Sequence, residues 1–229
     1  MRNPGKEMAM IDNSRKRTQE EKSRDMRQRL IAATLACLQQ RGYHGTSISQ
    51  ILDRAGVSRG AWRHHYSSKR DLVAAAAESF LTGPIDKVAE LAPLLDASDQ
   101  PLDTLVEFVW RNFYQGDYRD IWLEINVACR TDPALKARIE PVIRDFFAAL
   151  DRLWRGNFAP AGEAALPIED VMNLTLYAMR GMAIQSVSID EPGHYRKMRE
   201  LWIRILSSLV TVREGAFEQT LSDLQAMKG

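Results

Sequence analysis

The sequence predicts an all-α protein, in which a three-helix N-terminal domain with a helix-turn-helix precedes a larger helical C-terminal domain. No segment shows the sustained apolar and polar alternation of a strand, and no Asn-Gly or Asp-Gly hairpin turn occurs. Capping residues, first-turn prolines and glycines divide the chain into segments of helical length, with apolar residues at helical spacing. We expect about nine or ten helices, with one of the breaks at Gly83-Pro84.

The composition is that of an ordinary globular protein. Hydrophobic residues make up 45% and charged residues 27% of the 229 residues. No apolar run reaches the roughly 20 residues of a membrane span, and the first residues lack the apolar core of a signal peptide. We therefore expect a cytoplasmic protein without a membrane partner, with Cys37 and Cys129 as reduced thiols in the core.

Charge is distributed unevenly along the chain. Residues 1–72 hold 15 Lys and Arg against 7 Asp and Glu, a net charge of +8. Residues 73–229 hold 16 against 23, a net charge of −7. A basic N-terminal third suits contact with a polyanion such as DNA. An uneven but solvated surface would give the same numbers, so charge alone leaves both readings open.

The chain begins with a segment that we interpret as a flexible basic arm over residues 1–23, running into the first helix. The arm either touches a DNA groove or phosphates, or is a disordered tail with no function of its own. Thr18 and Glu21 form a capping box, in which each side chain satisfies a free backbone amide at a helix start. The helix should continue to about Arg41, where Gly42 ends it.

Residues from about 48 to 66 have the pattern of two short helices joined by a tight turn. Ser47 and Gln50 form a second capping box at the start of the first helix. Gly56 suits a helix end in the left-handed conformation, which glycine adopts at little cost. This pattern predicts a helix-turn-helix, although helical hairpins with a glycine turn also occur without DNA binding.

The second helix of such a motif enters the major groove with its early residues against the base edges. Ser58 can cap that helix, and Trp62 and Tyr66 should lie on its buried side. Arginines can pair with guanine edges or phosphates, small residues allow close approach, and the start of the preceding helix offers amides and hydroxyls to a phosphate. The candidate DNA contacts from this reasoning are Thr46, Ser47, Ser58, Arg59, Gly60, Ala61, Arg63 and Lys69.

A set of local motifs in this stretch is characteristic of one family. The motifs are Gly42-Tyr43, Thr46-Ser47, Ile51, Ala55-Gly56-Val57-Ser58, Arg59-Gly60, His65-Tyr66 and Ser68-Lys69 with Leu72. Together they resemble the DNA-binding domain of the TetR (tetracycline-repressor-like) family over about residues 24–84, which implies a helical effector-binding and dimerisation domain over residues 85–229. The resemblance also implies that His65 supports the phosphate backbone and that His64 lies near the DNA.

Two residues depart from the family pattern. Trp62 stands where the family usually has a smaller aliphatic residue, and Arg63 stands where it often has a phosphate-contacting tyrosine. Whether Arg63 meets phosphate or base therefore stays open. Neighbouring residues on a helix point about 100° apart, so His64 and His65 cannot hold one ion together. We expect no metal site and no cofactor.

Aromatic residues are frequent in the middle helices of the C-terminal domain. They either form packed core or line a cavity for an apolar or aromatic small molecule. The candidate ligand residues are Trp110, Phe113, Tyr114, Trp122, Asn126, Phe147 and Met179.

Two late helices each carry an apolar stripe with small residues among its members. Such a stripe can bury into its own subunit or against a second one, and the family resemblance favours a four-helix contact in a C2 dimer. The candidate interface residues are Leu174, Ala178, Gly181, Met182, Gln185, Leu201, Ile205, Ser208 and Leu209.

The predicted function is that of a DNA-binding transcriptional repressor, which binds a palindromic operator as a homodimer and is released by an unidentified small molecule. An activator would use the same DNA-binding surface, and a helical interaction module could keep the fold without binding DNA. An enzyme is not expected, because the sequence has no nucleophile elbow, phosphate-binding glycine loop or metal-ligand spacing.

Overall fold

The computed structural model describes residues 18–161 and 166–213, without the side chains at 84–86, 88–89, 92 and 96. Residues 1–17 of the predicted arm lie outside the described residues. The described elements are α1 (Gln19–Gly45), α2 (Ile48–Ala55), a 3₁₀ turn (Trp62–His64), α3 (Lys69–Asp96), α4 (Pro101–Phe113), α5 (Gly116–Thr131), α6 (Pro133–Asn157), β1 (Phe158–Pro160), α7 (Ile168–Gln185), α8 (Pro192–Leu209) and β2 (Val210–Val212).

The predicted all-α class is confirmed, with one small addition. The described ranges contain eight α-helices and one 3₁₀ turn, in line with the nine or ten helices expected. The strands β1 and β2 were not predicted, and they pair antiparallel with Phe158 opposite Val212. Three residues are too few to show an alternating pattern in sequence. None of the described helices has the length and apolar character needed to cross a membrane.

Local capping chemistry sets the ends of the first two helices. The Thr18 hydroxyl accepts the Glu21 amide at 3.1 Å, and the Glu21 carboxylate accepts the Thr18 amide at 2.7 Å. Gly42 interrupts the helical conformation of α1 with φ +67°, and Gly56 ends α2 with φ +62°. Left-handed backbone of this kind strongly favours glycine, so both turns occur where the sequence predicted them.

The break expected at Gly83-Pro84 is wrong, because α3 runs without interruption from Lys69 to Asp96. Leu81 before this point and Leu91 and Leu95 after it are all buried, so packing on both sides holds the helix together. The boundary at residue 84 thus falls inside a helix. The division into two domains stays a prediction.

The N-terminal helices enclose a small core of their own. Its central members are Leu30 on α1, Ile51 and Leu52 on α2, Trp62 in the 3₁₀ turn and Leu72 on α3. Each is at most 6% exposed. The free thiol of Cys37 is buried in the same cluster, whereas the free thiol of Cys129 is half-buried elsewhere.

A second core joins the N-terminal helices to the rest of the protein. Its buried members are Leu38 and Tyr43 of α1, Val73, Ala74, Ala77, Phe80 and Leu81 of α3, Ile121, Ile125 and Ala128 of α5, and Leu135 and Ile139 of α6. We refer to this cluster as the shared core. It packs the two predicted domains together as one body.

A third core fills the C-terminal half between α4, α6, α7 and α8. Trp110, Met172, Met179 and Leu206 are each at most 4% exposed within it. The β1–β2 pair extends this core, since Phe158 and Val210 are both 1% exposed. This arrangement leaves one side of α7 and of α8 facing outward.

Candidate nucleic-acid interface

The first half of the helix-turn-helix has the geometry that the sequence predicts. The Ser47 hydroxyl accepts the Gln50 amide at 3.3 Å, and the Gln50 side chain accepts the Ser47 amide at 2.8 Å. Ile51 and Leu52 of the short α2 helix face the core. The N-cap residue Ser47 is exposed.

The second half is shorter than predicted. An α-helix was expected from Ser58 to about Tyr66, but the chain forms a turn and then the 3₁₀ segment Trp62–His64. The Ala61 amide bonds to the Ser58 carbonyl at 3.2 Å and the His65 amide to the Trp62 carbonyl at 2.9 Å, which are i to i+3 contacts. Gly60 disfavours a regular helix at this point, while the buried Trp62 indole fixes the segment to the core.

Nine of the ten candidate DNA contacts are accessible, at the N-cap of α2, in the turn that follows α2 and at the start of α3. Six are exposed, three are half-buried and one is buried. The exposed residues are Ser47, Ser58, Arg59, Gly60, Arg63 and His64, the half-buried ones Ala61, His65 and Lys69, and the buried one Thr46. We refer to the nine accessible residues as the reading surface.

Thr46 does not fit the contact predicted for its side chain. It is 3% exposed, and its hydroxyl donates to the Gly42 carbonyl at 2.7 Å. The hydroxyl is thus used inside the fold, where it stabilises the turn at Gly42. The expected phosphate contact of this side chain needs an accessible hydroxyl, which the structure does not provide.

The two arginines of the reading surface differ in how firmly they are held. Arg59 donates from Nη2 to the Ser49 hydroxyl at 3.0 Å, which links the turn to α2. Arg63 is exposed and has no hydrogen bond or ion pair within the described ranges. Its guanidinium group is therefore available to a phosphate or to a base edge.

His65 and Lys69 are tied to the fold more closely than the arginines. Burial lowers the pKa of His65, and the positive charge of Arg27 lowers it further, which favours the neutral form of the ring. The Lys69 ammonium donates to the Tyr43 carbonyl at 2.5 Å and lies 4.3 Å from the centre of the Tyr43 ring. A neutral imidazole can still donate a hydrogen bond to a phosphate, and the ammonium keeps two further donors.

Tyr43 forms a junction with α5 and α6 that sequence reasoning missed. Its amide donates to the Glu124 carboxylate at 3.0 Å, and its hydroxyl donates to Asp132 Oδ2 at 2.8 Å. Arg70 on α3 donates from Nε to the same Asp132 carboxylate at 3.0 Å. A Cβ atom at Gly42 would lie 2.8 Å from Glu124 Oε2, so glycine also allows this close approach. The sequence predicts Asp132 only as the N-cap of a helix, and no local pattern links it to Tyr43.

The junction shifts the pKa of Asp132 and of Tyr43. The Leu135 amide, Arg70 and Tyr43 lower the pKa of Asp132 to about 2. Burial and the nearby Asp132 carboxylate raise the pKa of Tyr43 to about 12. The phenol therefore stays protonated and the carboxylate stays charged over the whole physiological range of pH.

The seven candidate ligand residues do not meet in a single cavity. Trp110, Tyr114 and Met179 are buried in the C-terminal core, where Phe113 packs against them, and Trp122 lies beneath the Arg180 guanidinium at 4.5 Å. Asn126 and Phe147 line a cavity of about 560 Å³ between α5 and α6. Trp110 also contributes to a second cavity of about 590 Å³.

The short helix, tight glycine turn and exposed basic segment define a helix-turn-helix DNA-binding protein. The profile of the family described as "Bacterial regulatory proteins, tetR family" matches residues 30–76. The HTH-type transcriptional regulator CymR of Pseudomonas putida is 30% identical over 195 residues, which are 83% of this chain and 94% of that protein. The chain belongs to the TetR family.

Two further proteins resemble the chain. The HTH-type transcriptional repressor AcnR of Corynebacterium diphtheriae is 32% identical over 150 residues, covering 62% of this chain and 71% of that protein. The crystal structure of the multidrug binding protein EbrR with imidazole superposes with a TM-score of 0.57 at 20% identity, covering 82% of this chain and 97% of that one. The chain is a DNA-binding transcriptional regulator and not an enzyme.

The low pKa of Asp132 gives the junction a defined pH dependence. A carboxylate whose pKa falls from about 4 in the unfolded chain to about 2 in the folded one stabilises the fold above pH 4. That stabilisation is lost as the pH falls towards 2. We expect Asp132→Asn to unfold at lower urea concentration than the unmodified protein at pH 5, and the difference to shrink between pH 4 and pH 2.

Urea titrations followed by tryptophan fluorescence at pH 5, 4, 3 and 2 measure this difference. Asp99→Asn serves as the control, because Asp99 is exposed and has no side-chain partner in the described structure. A difference between Asp132→Asn and the unmodified protein that stays constant down to pH 2 would show that the carboxylate does not stabilise the junction.

Proposed function

We propose that the protein is a repressor that binds a palindromic operator as a homodimer and is released when a small molecule binds its C-terminal half. The observation that carries the proposal is the presence of two surfaces on one packed structure. One is the basic reading surface at the helix-turn-helix, and the other is an exposed apolar face on α7 and α8. A DNA-binding regulator of this kind acts in the cytoplasm, where bacterial DNA is located.

The reading surface suits double-stranded DNA. Arg59 and Arg63 can reach base edges or phosphates from a turn whose Gly60 allows close approach of the backbone. Ser47 offers its hydroxyl and Lys69 its ammonium beside them, and both groups are suited to phosphates. Contacts with phosphates set the position of the protein on DNA, whereas contacts with bases select the sequence.

The apolar face on α7 and α8 supports the homodimer. Leu174 is 58% exposed, and Ile184, Leu201 and Ile205 are each 42–49% exposed. Every candidate interface residue is exposed or half-buried, and a Cβ at Gly181 would have no neighbour within 4 Å. Exposed apolar patches of this kind mark interaction sites. A two-fold axis here would give two reading surfaces, as a palindrome with half-sites roughly 34–36 Å apart requires.

The related proteins support the remaining parts of the proposal. AcnR is named a transcriptional repressor, and EbrR is named a multidrug binding protein. Cavities of about 560 and 590 Å³ in the C-terminal half of this chain have the size of small-molecule sites. Release then requires that the ligand bind the form with low DNA affinity more tightly than the DNA-binding form.

Operator binding is tested on DNA from upstream of the protein's own gene. We expect Arg59→Ala and Arg63→Ala each to weaken binding by roughly 1–3 kcal/mol, because each removes a charged contact. Fluorescence anisotropy at several salt concentrations measures the loss. If Arg63 contacts phosphate, its removal also reduces the slope of log K against log salt by about one.

Arg152→Ala is the matched control for these variants, since Arg152 is an exposed arginine on α6 with no partner in the described ranges. It should bind as the unmodified protein does. Equal affinity of all three variants would contradict the assignment of the reading surface and would favour an interaction module that does not bind DNA.

The dimer is tested by placing a charge on its proposed interface. Ile205→Glu should convert the dimer to a monomer, because a carboxylate would be desolvated in an apolar contact. Light scattering after size-exclusion chromatography measures the mass. Leu94→Glu is the control, since Leu94 is 50% exposed on α3, outside this face. A dimer that survives Ile205→Glu with unchanged affinity would place the interface elsewhere.

A further inference from the structure

A cavity of about 590 Å³ lies where the end of α4 and the loop after α7 meet the starts of α5 and α8. Four arginines, two acidic residues and two aromatic rings contribute to its lining. The arginines are Arg111, Arg119, Arg196 and Arg199, and Glu107 and Trp110 lie in the lining with them. We refer to it as the arginine cavity. Of the seven candidate ligand residues predicted from the sequence, only Trp110 lines this cavity.

A buried guanidinium group forms the base of the arginine cavity. Arg199 is 5% exposed, and it donates to Glu107 from Nε at 2.7 Å and from Nη2 at 3.2 Å. The same group lies 4.4 Å from the centre of the Trp110 ring. Its Nη1 atom has no acceptor within the described residues. Since a guanidinium carries five N–H donors, Arg199 is fixed in place with donors left for a ligand.

The charge of the lining is positive overall. Glu107 balances Arg199, and Arg119 is balanced by Asp120, at 2.8 Å from its Nε atom. Arg111 and Arg196 form no ion pair or hydrogen bond within the described residues, and Asp190 is the remaining carboxylate of the lining. Arg111 and Arg196 therefore have only Asp190 to balance them. This leaves an excess positive charge beside the N–H donors of Arg199 that Glu107 does not use.

Two aromatic rings also line the arginine cavity. Trp110 and Tyr195 stack with their ring centres 6.5 Å apart and their planes at 28°, and both are at most 5% exposed. The Tyr195 hydroxyl donates to the Ile189 carbonyl at 3.0 Å, so it is already satisfied. A ligand for this site needs a negatively charged group for the arginines and an apolar part for the rings.

We propose that the arginine cavity binds a small organic anion, with a carboxylate or similar oxyanion group against Arg111, Arg196 and Arg199 and an apolar body towards Trp110. Planar oxyanions match the two-pronged donor geometry of arginine. A neutral apolar ligand would leave this excess positive charge without a partner. The inference deepens the proposed function, on which it rests for the release of DNA.

The arginine cavity also has a structural route to the DNA-binding domain. Arg119 lies on the first turns of α5, two residues after Asp117, whose carboxylate accepts from Gln39 of α1 at 2.6 Å. Further along α5, Glu124 holds the amide of Tyr43. An anion held by Arg111, Arg196 and Arg199 would lie beside Arg119, on the helix that bonds to α1 through Asp117 and Glu124.

Calorimetric titration of the full chain without DNA tests the binding step. The probes are two matched pairs, benzoate with benzamide and hexanoate with hexanamide, and inorganic phosphate as an oxyanion without an apolar body. We expect at least one carboxylate to bind about tenfold or more tightly than its neutral amide and more tightly than phosphate. Equal binding within both pairs, or no binding of either carboxylate, would overturn the proposal.

Variants assign the binding to the arginine cavity. The double variant Arg111→Gln with Arg196→Gln changes two exposed side chains, so the fold is retained, and we expect about tenfold or greater loss of carboxylate affinity. Arg152→Gln, the exposed arginine on α6, should bind normally. Unchanged affinity in the double variant would place the anion elsewhere and overturn the assignment.

Operator binding with and without the carboxylate separates this inference from the proposed function. Loss of DNA affinity on adding the carboxylate, in the unmodified protein and not in the double variant, supports both. Carboxylate binding by a protein that has no operator would refute the repressor and leave the site intact. Carboxylate binding that leaves operator affinity unchanged would overturn the effector role of the arginine cavity.

Discussion

The shared core between α1, α3, α5 and α6 is the contact on which the proposed regulation by a small molecule depends. Ile125 and Leu135 on the C-terminal side and Leu38 and Val73 on the N-terminal side are each fully buried in it. Burying such side chains stabilises by about 1.5–3 kcal/mol each, whereas a single hydrogen bond contributes about 1 kcal/mol. Apolar packing therefore joins the two predicted domains, and the polar contacts of Tyr43 orient α1 against α5 and α6.

Different parts of α5 contribute to the arginine cavity and to the contact with α1. The helix has 16 residues, about 24 Å in length, with Arg119 near its start and Glu124 and Thr131 against the end of α1. Close-packed interiors transmit strain, so the release that we propose would pass from the start of α5 to Tyr43. The helix-turn-helix packs on the same small core as α1, and the proposed release would reach the reading surface through this core.

The sequence predicts the features that depend on neighbouring residues. The capping box at Thr18 and the left-handed turn at Gly56 follow from local chemistry, and both occur. The 3₁₀ turn was missed because the spacing of Trp62 and Tyr66 also fits an α-helix. The contacts of Tyr43 join residues 81 and 89 positions apart, which no single sequence can reveal. The arginine cavity likewise depends on a distant contact, since Glu107 and Arg199 are 92 positions apart, and the candidate ligand residues are divided between the two cavities and the core.

The most direct test of the shared core is differential scanning calorimetry of the full chain. If the two predicted domains are one packed body, they unfold together, and the protein shows a single transition at every protein concentration at which it can be measured. Two separate transitions, with the helical signal of the N-terminal helices lost in the first and the C-terminal half intact until the second, would contradict this account.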